Sequence, residues 1–523
     1  MPDRPSTVAI IGAGIGGLAA ALRLAAKGVD VTVFERHATP GGKMRTVPSE
    51  AGPVDAGPTV LTMKPVFDAL FTEAGARLED HVTLLREPCL ARHFWADGTR
   101  LDLMADAGES LRNVAEVFGA KVGREFEAFT ARAARLFEAF EAPMMQAAAP
   151  TQLGLTQAVL RQPSLIAAMT PHLSLSAALN KQFSEPKLAQ LFGRYATYVG
   201  GSPEASPAIL SLIWHAEAQG VWHVKGGMHQ LAVAIEALAK ARGARFIYGA
   251  DIGEIMPVAS GFELGGARFD KVLFNGDPRA LRHGLLGASV RDAVPEHATE
   301  PRSLSAYVHS FAAKAQGCDL AAHNVFFSDG VNAEFAPLAK GKMPRDPTLY
   351  ICAQDRFGAG APQGLERFEI IMNAPPAPAR AATGQHDSTK DIERCQTTTF
   401  TRLMQFGLTF TPQPEATALT MPRGFAAMFP ASNGALYGRS PHGMMAAFKR
   451  PTARTGLKGL YLVGGGAHPG AGVPMATLSA KHAAEAIWTD LSSTSTSPQG
   501  DTRGGMSTGS AMTANVPSRL SGS

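Results

Sequence analysis

Residues 7 to 35 read "TVAIIGAGIGGLAAALRLAAKGVDVTVFE". The stretch opens on a short β-branched run, passes through a glycine turn into an alanine- and leucine-rich helical segment, and ends in a second alternating strand that closes on an acid. This is a βαβ unit, which commits the chain to a parallel sheet. Gly12, Gly14 and Gly17 form G-x-G-x-x-G between strand and helix, with Gly16 beside the third. The first permits the tight turn, the second lets main chain approach a pyrophosphate, and the third lets helix and strand pack closely, while the helix N-terminus offers amide donors to phosphate. Glu35 closes the second strand about 20 residues after the first glycine, where a carboxylate accepts from ribose hydroxyls. The unit predicts a bound dinucleotide.

Working outward, a second glycine corner follows at once in "ERHATPGGKMRT", residues 35 to 46. Gly41 and Gly42 bring amides close to a ligand, and Arg36, Lys43 and Arg45 place positive charge near its phosphates. The third corner, "DAGPTVLT" at residues 55 to 62, contains Gly57, Pro58 and Thr59 and leaves room for a flat ring. Far down the chain, "LYLVGGGAHPGAGVPMATLSA" at residues 460 to 480 repeats the strand, glycine corner and helix pattern. Gly464, Gly465 and Gly466 let main chain lie against a ribityl phosphate. Val473, Pro474 and Met475 begin a helix whose positive end favours the anionic form of a reduced flavin by about 0.3–2 kcal/mol, and Pro474 is expected at the first helical position, where no N–H is needed. So late a corner returns the chain to its first domain to complete a flavin seat, which favours FAD over NAD.

The rest of the sequence sets bounds. At 523 residues with 45% hydrophobic content, the chain requires more than one core. A net charge of +4 without a Lys/Arg stripe excludes nucleic acid and is compatible with an anionic membrane surface. Cys89, Cys318, Cys352 and Cys395 are too scattered for a disulfide framework or a zinc site, and no metal site is indicated. The N-terminal apolar run is explained by its glycine spacing rather than by a signal peptide. No window offers about 18 uninterrupted apolar residues, so membrane contact is expected to be peripheral. "ARHFWADGTRLDL", residues 91 to 103, predicts a hairpin around Asp97-Gly98. Residues 107 to 215 read as mostly helical, and the last periodic helix is expected at 474 to 488. The expected division is a discontinuous dinucleotide-binding domain (1–100, 215–290 and 450–490), an interleaved α+β substrate domain (101–214 and 291–449), and a tail at 491–523 too poor in large apolar residues to offset its ordering entropy.

"GAGIGGLAAALRLAAKGVDVTVFE", "PGGKMRT", "DAGPTVLTM", "VWHVKGGMHQLAVAI", "FNGDP" and the 460–480 corner together resemble the bacterial carotenoid desaturases of the phytoene-desaturase type. "HNVFFS", "DPTLYICAQDR" and "GALYGRSPHGMMAAFKRP" look closer to the hydroxyneurosporene and methoxyneurosporene dehydrogenases of purple photosynthetic bacteria, which are 3,4-desaturases of acyclic 1-hydroxy carotenoids. A departure is Met475, where phytoene enzymes often carry glycine. The resemblance implies a Rossmann-type α/β flavoprotein fold like that of the amine oxidases and Rab GDP-dissociation inhibitors. It implies FAD, with Ile252 added to the cofactor set, and a C40 carotenoid in an apolar tunnel. It also implies peripheral binding to the cytoplasmic face of the inner or photosynthetic membrane, with a quinone or dioxygen as electron acceptor. It places Trp222, His223, Gly226, Gly227 and Met228 near the ring, whereas the same residues also read as an interdomain crossover; Asn275 and Asp277 read mainly as a strand-ending turn.

The chemistry expected is hydride transfer from a saturated carbon to flavin N5, with proton loss from the neighbouring carbon to extend the polyene. His468 is the imidazole of the late corner and the candidate proton acceptor and substrate contact, against a structural or flavin-contacting role. Exposing about 40 carbons to water costs on the order of 30 kcal/mol, so the substrate must pass straight from bilayer to tunnel. The stretch "QLGLTQAVLRQPSLIAAMTPHLSL", residues 152 to 175, is the candidate docking face, with Leu155 and Leu165 as its probes, against the alternative of domain core. Rival readings are phytoene desaturation, flavin-dependent carotenoid isomerisation, oxidation of an amine or protoporphyrinogen, and a non-enzymatic isoprenoid escort.

Overall fold

The computed structural model describes residues 6–357, 360–378 and 387–494. A five-stranded sheet runs in the order Leu460–Leu462, Lys271–Phe274, Thr7–Ile11, Asp30–Glu35 and Arg245–Tyr248, with every neighbouring pair parallel. Both faces are covered, which is why its strands read as nearly continuous apolar runs. On one face Val8, Ile10, Val31, Val33 and Tyr461 pack under the helices Ile15–Ala26, His229–Ala241 and Val473–Thr494. On the other, Ala9, Phe34, Val272 and Phe274 meet Phe262 and Leu264 of an antiparallel meander spanning Met256–Val258, Gly261–Leu264 and Ala267–Phe269.

The second sheet runs Thr409–Thr411, Ser305–Gln316, Glu366–Ala374, Leu349–Ala353, His323–Phe326, Cys89–Phe94 and Arg100–Met104, with the short strand Leu419–Thr420 alongside Ser305–Gln316. It is antiparallel except where Cys89–Phe94 joins His323–Phe326. Along Glu366–Ala374 the side chains alternate. Phe368, Ile370 and Met372 enter the core shared with Cys395, Phe400 and Leu403 of the helix Thr389–Gln405, and the opposite face carries Glu369 and Ile371.

Two expectations shift. The hairpin forms around Asp97-Gly98, but both its strands belong to the second sheet, which therefore begins before the boundary expected at residue 100; a hairpin signal identifies two partners and is silent about the third strand. The last helix continues to Thr494, four residues into the segment expected to be unstructured, because Leu491 still packs on the first core. Residues 495–523 lie outside the described residues.

Candidate functional site

A cavity of about 570 Å³ opens where the parallel sheet meets the second sheet, within the usual size range of small-molecule and cofactor sites. Its floor is the strand-to-helix corner: Gly12, Gly14, Gly16 and Glu35 line it, with Arg36, Gly41, Gly42, Lys43, Arg45, Gly57, Pro58 and Ile252 around the sides. Gly464, Gly465, Gly466 and Val473 come in from the far end of the chain. The structure thus brings most of the residues singled out in the sequence into one space.

The convergence hinges on Asn275. Its Nδ2 donates to the carbonyls of Gly12 at 3.0 Å and Gly14 at 3.3 Å. A Cβ on Gly16 would stand 2.7 Å from Asn275 Oδ1 and 2.8 Å from Gly464 Cα, so the first glycine turn, the end of the strand Lys271–Phe274 and the late corner touch through this one point. Asn275 is therefore more than the strand-ending turn expected. Asp277 accepts from the Arg279 amide at 3.0 Å to cap the short helix that follows, and pairs with Arg302. Arg450 fixes the late corner, donating to the Gly465 carbonyl at 2.6 Å and to the carbonyls of Tyr437 and Arg439; burial lowers its pKa to about 10.

Glu35 is 5% exposed and accepts from the amides of Ala13 at 2.6 Å and His37 at 2.9 Å. Each oxygen keeps a second lone pair for a hydroxyl. Lys43 donates to the Leu436 carbonyl at 2.6 Å, and Arg36 pairs with Asp251 at 3.3 Å. Arg45 donates through one terminal nitrogen to Thr420 Oγ1 at 2.9 Å, while its buried Nε has no partner among the described residues. An orphaned guanidinium N–H on a glycine-lined cleft fits an anionic or carbonyl-bearing ligand.

Other expected residues lie elsewhere. Gly17 stands behind the cavity, where a Cβ would meet the Gly12 carbonyl oxygen at 2.1 Å, so it is a packing glycine. Thr59 is buried against Tyr350, hydroxyl to hydroxyl at 2.9 Å. Pro474 is the second residue of its helix rather than the first, and neither it nor Met475 lines the cavity. The segment from Trp222 to Met228 is also off the cavity. Trp222 bridges Leu61, His223 stacks on Phe357, and Gly226-Gly227 turn the chain so that the Met228 amide donates to Asp55 at 2.6 Å. That segment anchors the third corner from behind; Asp55, the anchor, carried no distinguishing signal beyond its place in "DAGPT".

His468 is corrected most plainly. Its ring is 3% exposed, lies off the cavity, and stacks near His482 with centroids 5.7 Å apart. Its Nε2–H donates to the Ala147 carbonyl at 2.9 Å, and burial lowers its pKa to about 4. His482 donates likewise to the Met145 carbonyl at 2.9 Å. The pair pins the segment that follows the helix Ala120–Phe140 and does not serve as a base in the cavity.

Much of the remaining wall is apolar: Ala306, Val308 and Ile371 from the second sheet, and Phe425, Met428, Phe429 and Leu436 from the loops above it. Glu369 is the polar residue that the second sheet contributes. It is fully buried on the cavity face of its strand, and neither carboxyl oxygen has a partner among the described residues. Burial holds this carboxyl well above the usual range; the Asp55 carboxylate adds to the effect and the Arg45 guanidinium opposes it.

Residues 15–309 match the family of flavin-containing amine oxidoreductases. The chain is 53% identical to the hydroxyneurosporene desaturase of Cereibacter sphaeroides, over 93% of this chain and 98% of that protein. It is 30% identical to the 1-hydroxycarotenoid 3,4-desaturase of a Flavobacterium, over 91% and 98% respectively. Among solved structures, an oxidoreductase from Methanosarcina mazei superposes with a TM-score of 0.59 at 16% identity, covering 92% of this chain and all of that one; the likeness is one of fold.

Proposed function

This chain belongs to the flavin-containing amine oxidoreductases, in the group of the hydroxyneurosporene desaturases, and from that premise we propose that it is an FAD-dependent desaturase placing a C3–C4 double bond in acyclic 1-hydroxy and methoxy carotenoids such as hydroxyneurosporene. The observation that carries the reading is the single cavity in which a dinucleotide cradle continues into an apolar wall.

The residues fit the cofactor. Gly14 and Gly16 would present the helix N-terminus to its pyrophosphate, Glu35 would accept from its ribose hydroxyls, and the orphaned Nε of Arg45 would donate to an acceptor on it. Gly57, Pro58, Gly464, Gly465, Gly466 and Val473 would flank the ring, and Ile252 would close the nucleotide end. When bound, FAD supplies the hydride acceptor. The chain holds the C3–C4 bond beside it with Ala306, Val308, Ile371 and Phe425, side chains that exclude water and grip a polyene without polar contacts. A positively charged intermediate delocalised over the polyene sheds its proton readily, so the absence of His468 from the cavity removes nothing the reaction requires.

The membrane is the proposed source of substrate. No helix among the described residues is long and apolar enough to cross one. Helices Gln152–Arg161 and Ser164–Met169 instead present Leu153, Leu160 and Ile166, which are 67%, 72% and 53% exposed. No acidic residue occurs between Glu141 and Glu185, and Arg161 stands beside Leu160. Exposed aliphatic groups next to a cation, on a stretch free of acidic residues, suit the interface of an anionic bilayer. Of the two probes expected from sequence, Leu165 is 1% exposed and belongs to the core with Leu136, Phe137 and Phe140, and Leu155 packs against that core, so neither is a docking residue. A quinone or dioxygen would serve as the final electron acceptor.

Purified protein incubated with FAD and hydroxyneurosporene in liposomes is expected to yield a product two hydrogens lighter with its absorption shifted to longer wavelength. A product of unchanged mass would make it an isomerase. Turnover of phytoene in preference, turnover of amines, or tight carotenoid binding without chemistry would each replace the assignment with a rival.

A further inference from the structure

The functional reading above fixes a chemical relation that the cavity can be tested against. In a 1-hydroxy carotenoid desaturated between C3 and C4, two bonds separate the hydroxyl-bearing carbon from the nearer reacting carbon. Wherever the cavity seats C3 and C4, a tertiary hydroxyl comes with them into an apolar, dehydrated space. An unpartnered hydroxyl there costs binding energy, and a site built around a hydroxyl in turn rejects the analogue that lacks it.

The wall contributed by the second sheet is apolar at Ala306, Val308 and Ile371 and polar only at Glu369. That side chain has no solvent exposure, lines the cavity, and leaves both oxygens unpaired among the described residues. Its position is set by the strand ladder: Ser310 and Cys352 are its register partners on either side, so the group sits in mid-sheet rather than on an adjustable loop. A buried carboxyl with neither oxygen bonded is a costly thing to keep in a core. Its neighbours on the opposite face, Phe368 and Ile370, are apolar residues of the core.

We propose that the Glu369 carboxyl binds and selects the substrate's tertiary hydroxyl. As a neutral acid its O–H donates to the hydroxyl oxygen while its carbonyl oxygen accepts the hydroxyl proton, so both partners are satisfied at once. Burial and the nearby Asp55 carboxylate keep the acid form. The pair holds the end of the carotenoid in register, setting C3–C4 rather than a bond farther along the chain at the reacting position. This rests on the functional reading and adds to it the residue that distinguishes a hydroxylated end from a plain one.

The test compares kcat/KM for hydroxyneurosporene with that for neurosporene, which lacks the hydroxyl, in the same liposomes. Glu369→Leu is expected to lower the ratio of the two about 10- to 100-fold, the fall being carried by the hydroxylated substrate. Glu369→Gln, which keeps one donor and one acceptor, is expected to retain the ratio within about fivefold. FAD content and the flavin absorption bands stay at wild-type values in both. Glu369→Ala takes the place of the leucine variant if that protein does not fold. An unchanged ratio in the apolar variant, or equal loss on both substrates, overturns the proposal. Loss of FAD or a displaced flavin band also overturns it, assigning the carboxyl to the cofactor instead. Failure of the wild-type protein to desaturate either carotenoid removes the functional reading itself, and the proposal with it.

Discussion

Replacing Leu153, Leu160 and Ile166 together by glutamate tests the route by which so water-averse a substrate reaches the cavity. The three side chains are 67%, 72% and 53% exposed, so roughly two-thirds of each remains to be buried on contact with a bilayer. Full burial of a leucine or isoleucine is worth about 1.5–3 kcal/mol, which gives about 1–2 kcal/mol for each and about 3–6 kcal/mol for the three. At 1.4 kcal/mol per decade the partition constant falls on the order of 10²–10⁴-fold, and the added negative charges oppose anionic lipid further. Because these positions are already solvated, each substitution changes stability by no more than about 0.5 kcal/mol, and the thermal midpoint stays near that of the wild type. Leu165→Glu is the contrast: at 1% exposure it forces a charge into the core of Leu136, Phe137 and Phe140 and lowers the midpoint sharply. Co-sedimentation with vesicles containing anionic lipid, beside thermal unfolding of the same preparations, reads both quantities. A triple variant that stays folded and partitions within threefold of the wild type would refute the assignment of this face.

Two further outcomes follow from the packing. Gly16→Ala drives a Cβ to within 2.8 Å of Gly464 Cα and parts the two glycine corners, so bound FAD on purification is expected to fall at least tenfold; Gly330→Ala, where a Cβ meets nothing within 4 Å, keeps it, and flavin absorbance per polypeptide decides. His309 is buried with both ring nitrogens unpartnered among the described residues, and burial lowers its pKa to about 4. Its folded pKa thus lies below the unfolded value of about 6.5, so its effect on stability is absent above pH 6.5. As pH falls from there toward 4, the unfolded chain alone takes up the proton and about 1.4 kcal/mol is lost per pH unit. His309→Phe removes that slope, and denaturant unfolding at pH 6.5 and 5.5 is expected to show the variant gaining about 1 kcal/mol on the wild type over the interval, because the unfolded imidazole is only half protonated at the upper pH.

What could be read from the chain beforehand were the features whose cause is local. A G-x-G-x-x-G between an apolar strand and a helix has few other uses, and the glycines of 464 to 466 announce close main-chain approach before any partner is known. The partners themselves are made by long-range pairing. Asn275 looks like any residue at the end of a strand until Lys271–Phe274 is seated between Thr7–Ile11 and Leu460–Leu462. Glu369, an acid within "ERFEIIMNA", reads as a solvated face, and the ladder that turns it inward joins segments far apart in sequence. His468 misled for the opposite reason: nearness in sequence to the glycine corner suggested nearness to its ligand, whereas the chain turns the ring away to Ala147. Leu165 and Leu160 share one apolar stretch, and only the packing of two short helices decides which faces outward.

The meeting of Gly16, Asn275 and Gly464 also orders events during synthesis. The strand that emerges first from the ribosome becomes the middle of the parallel sheet, and the edge strand that completes the seat, Leu460–Leu462, is among the last to be translated. A nascent chain therefore has no finished place for its flavin until nearly the whole polypeptide is out. Cofactor capture is a post-translational act, and a message cut short before the final helix yields a protein that is colourless from birth.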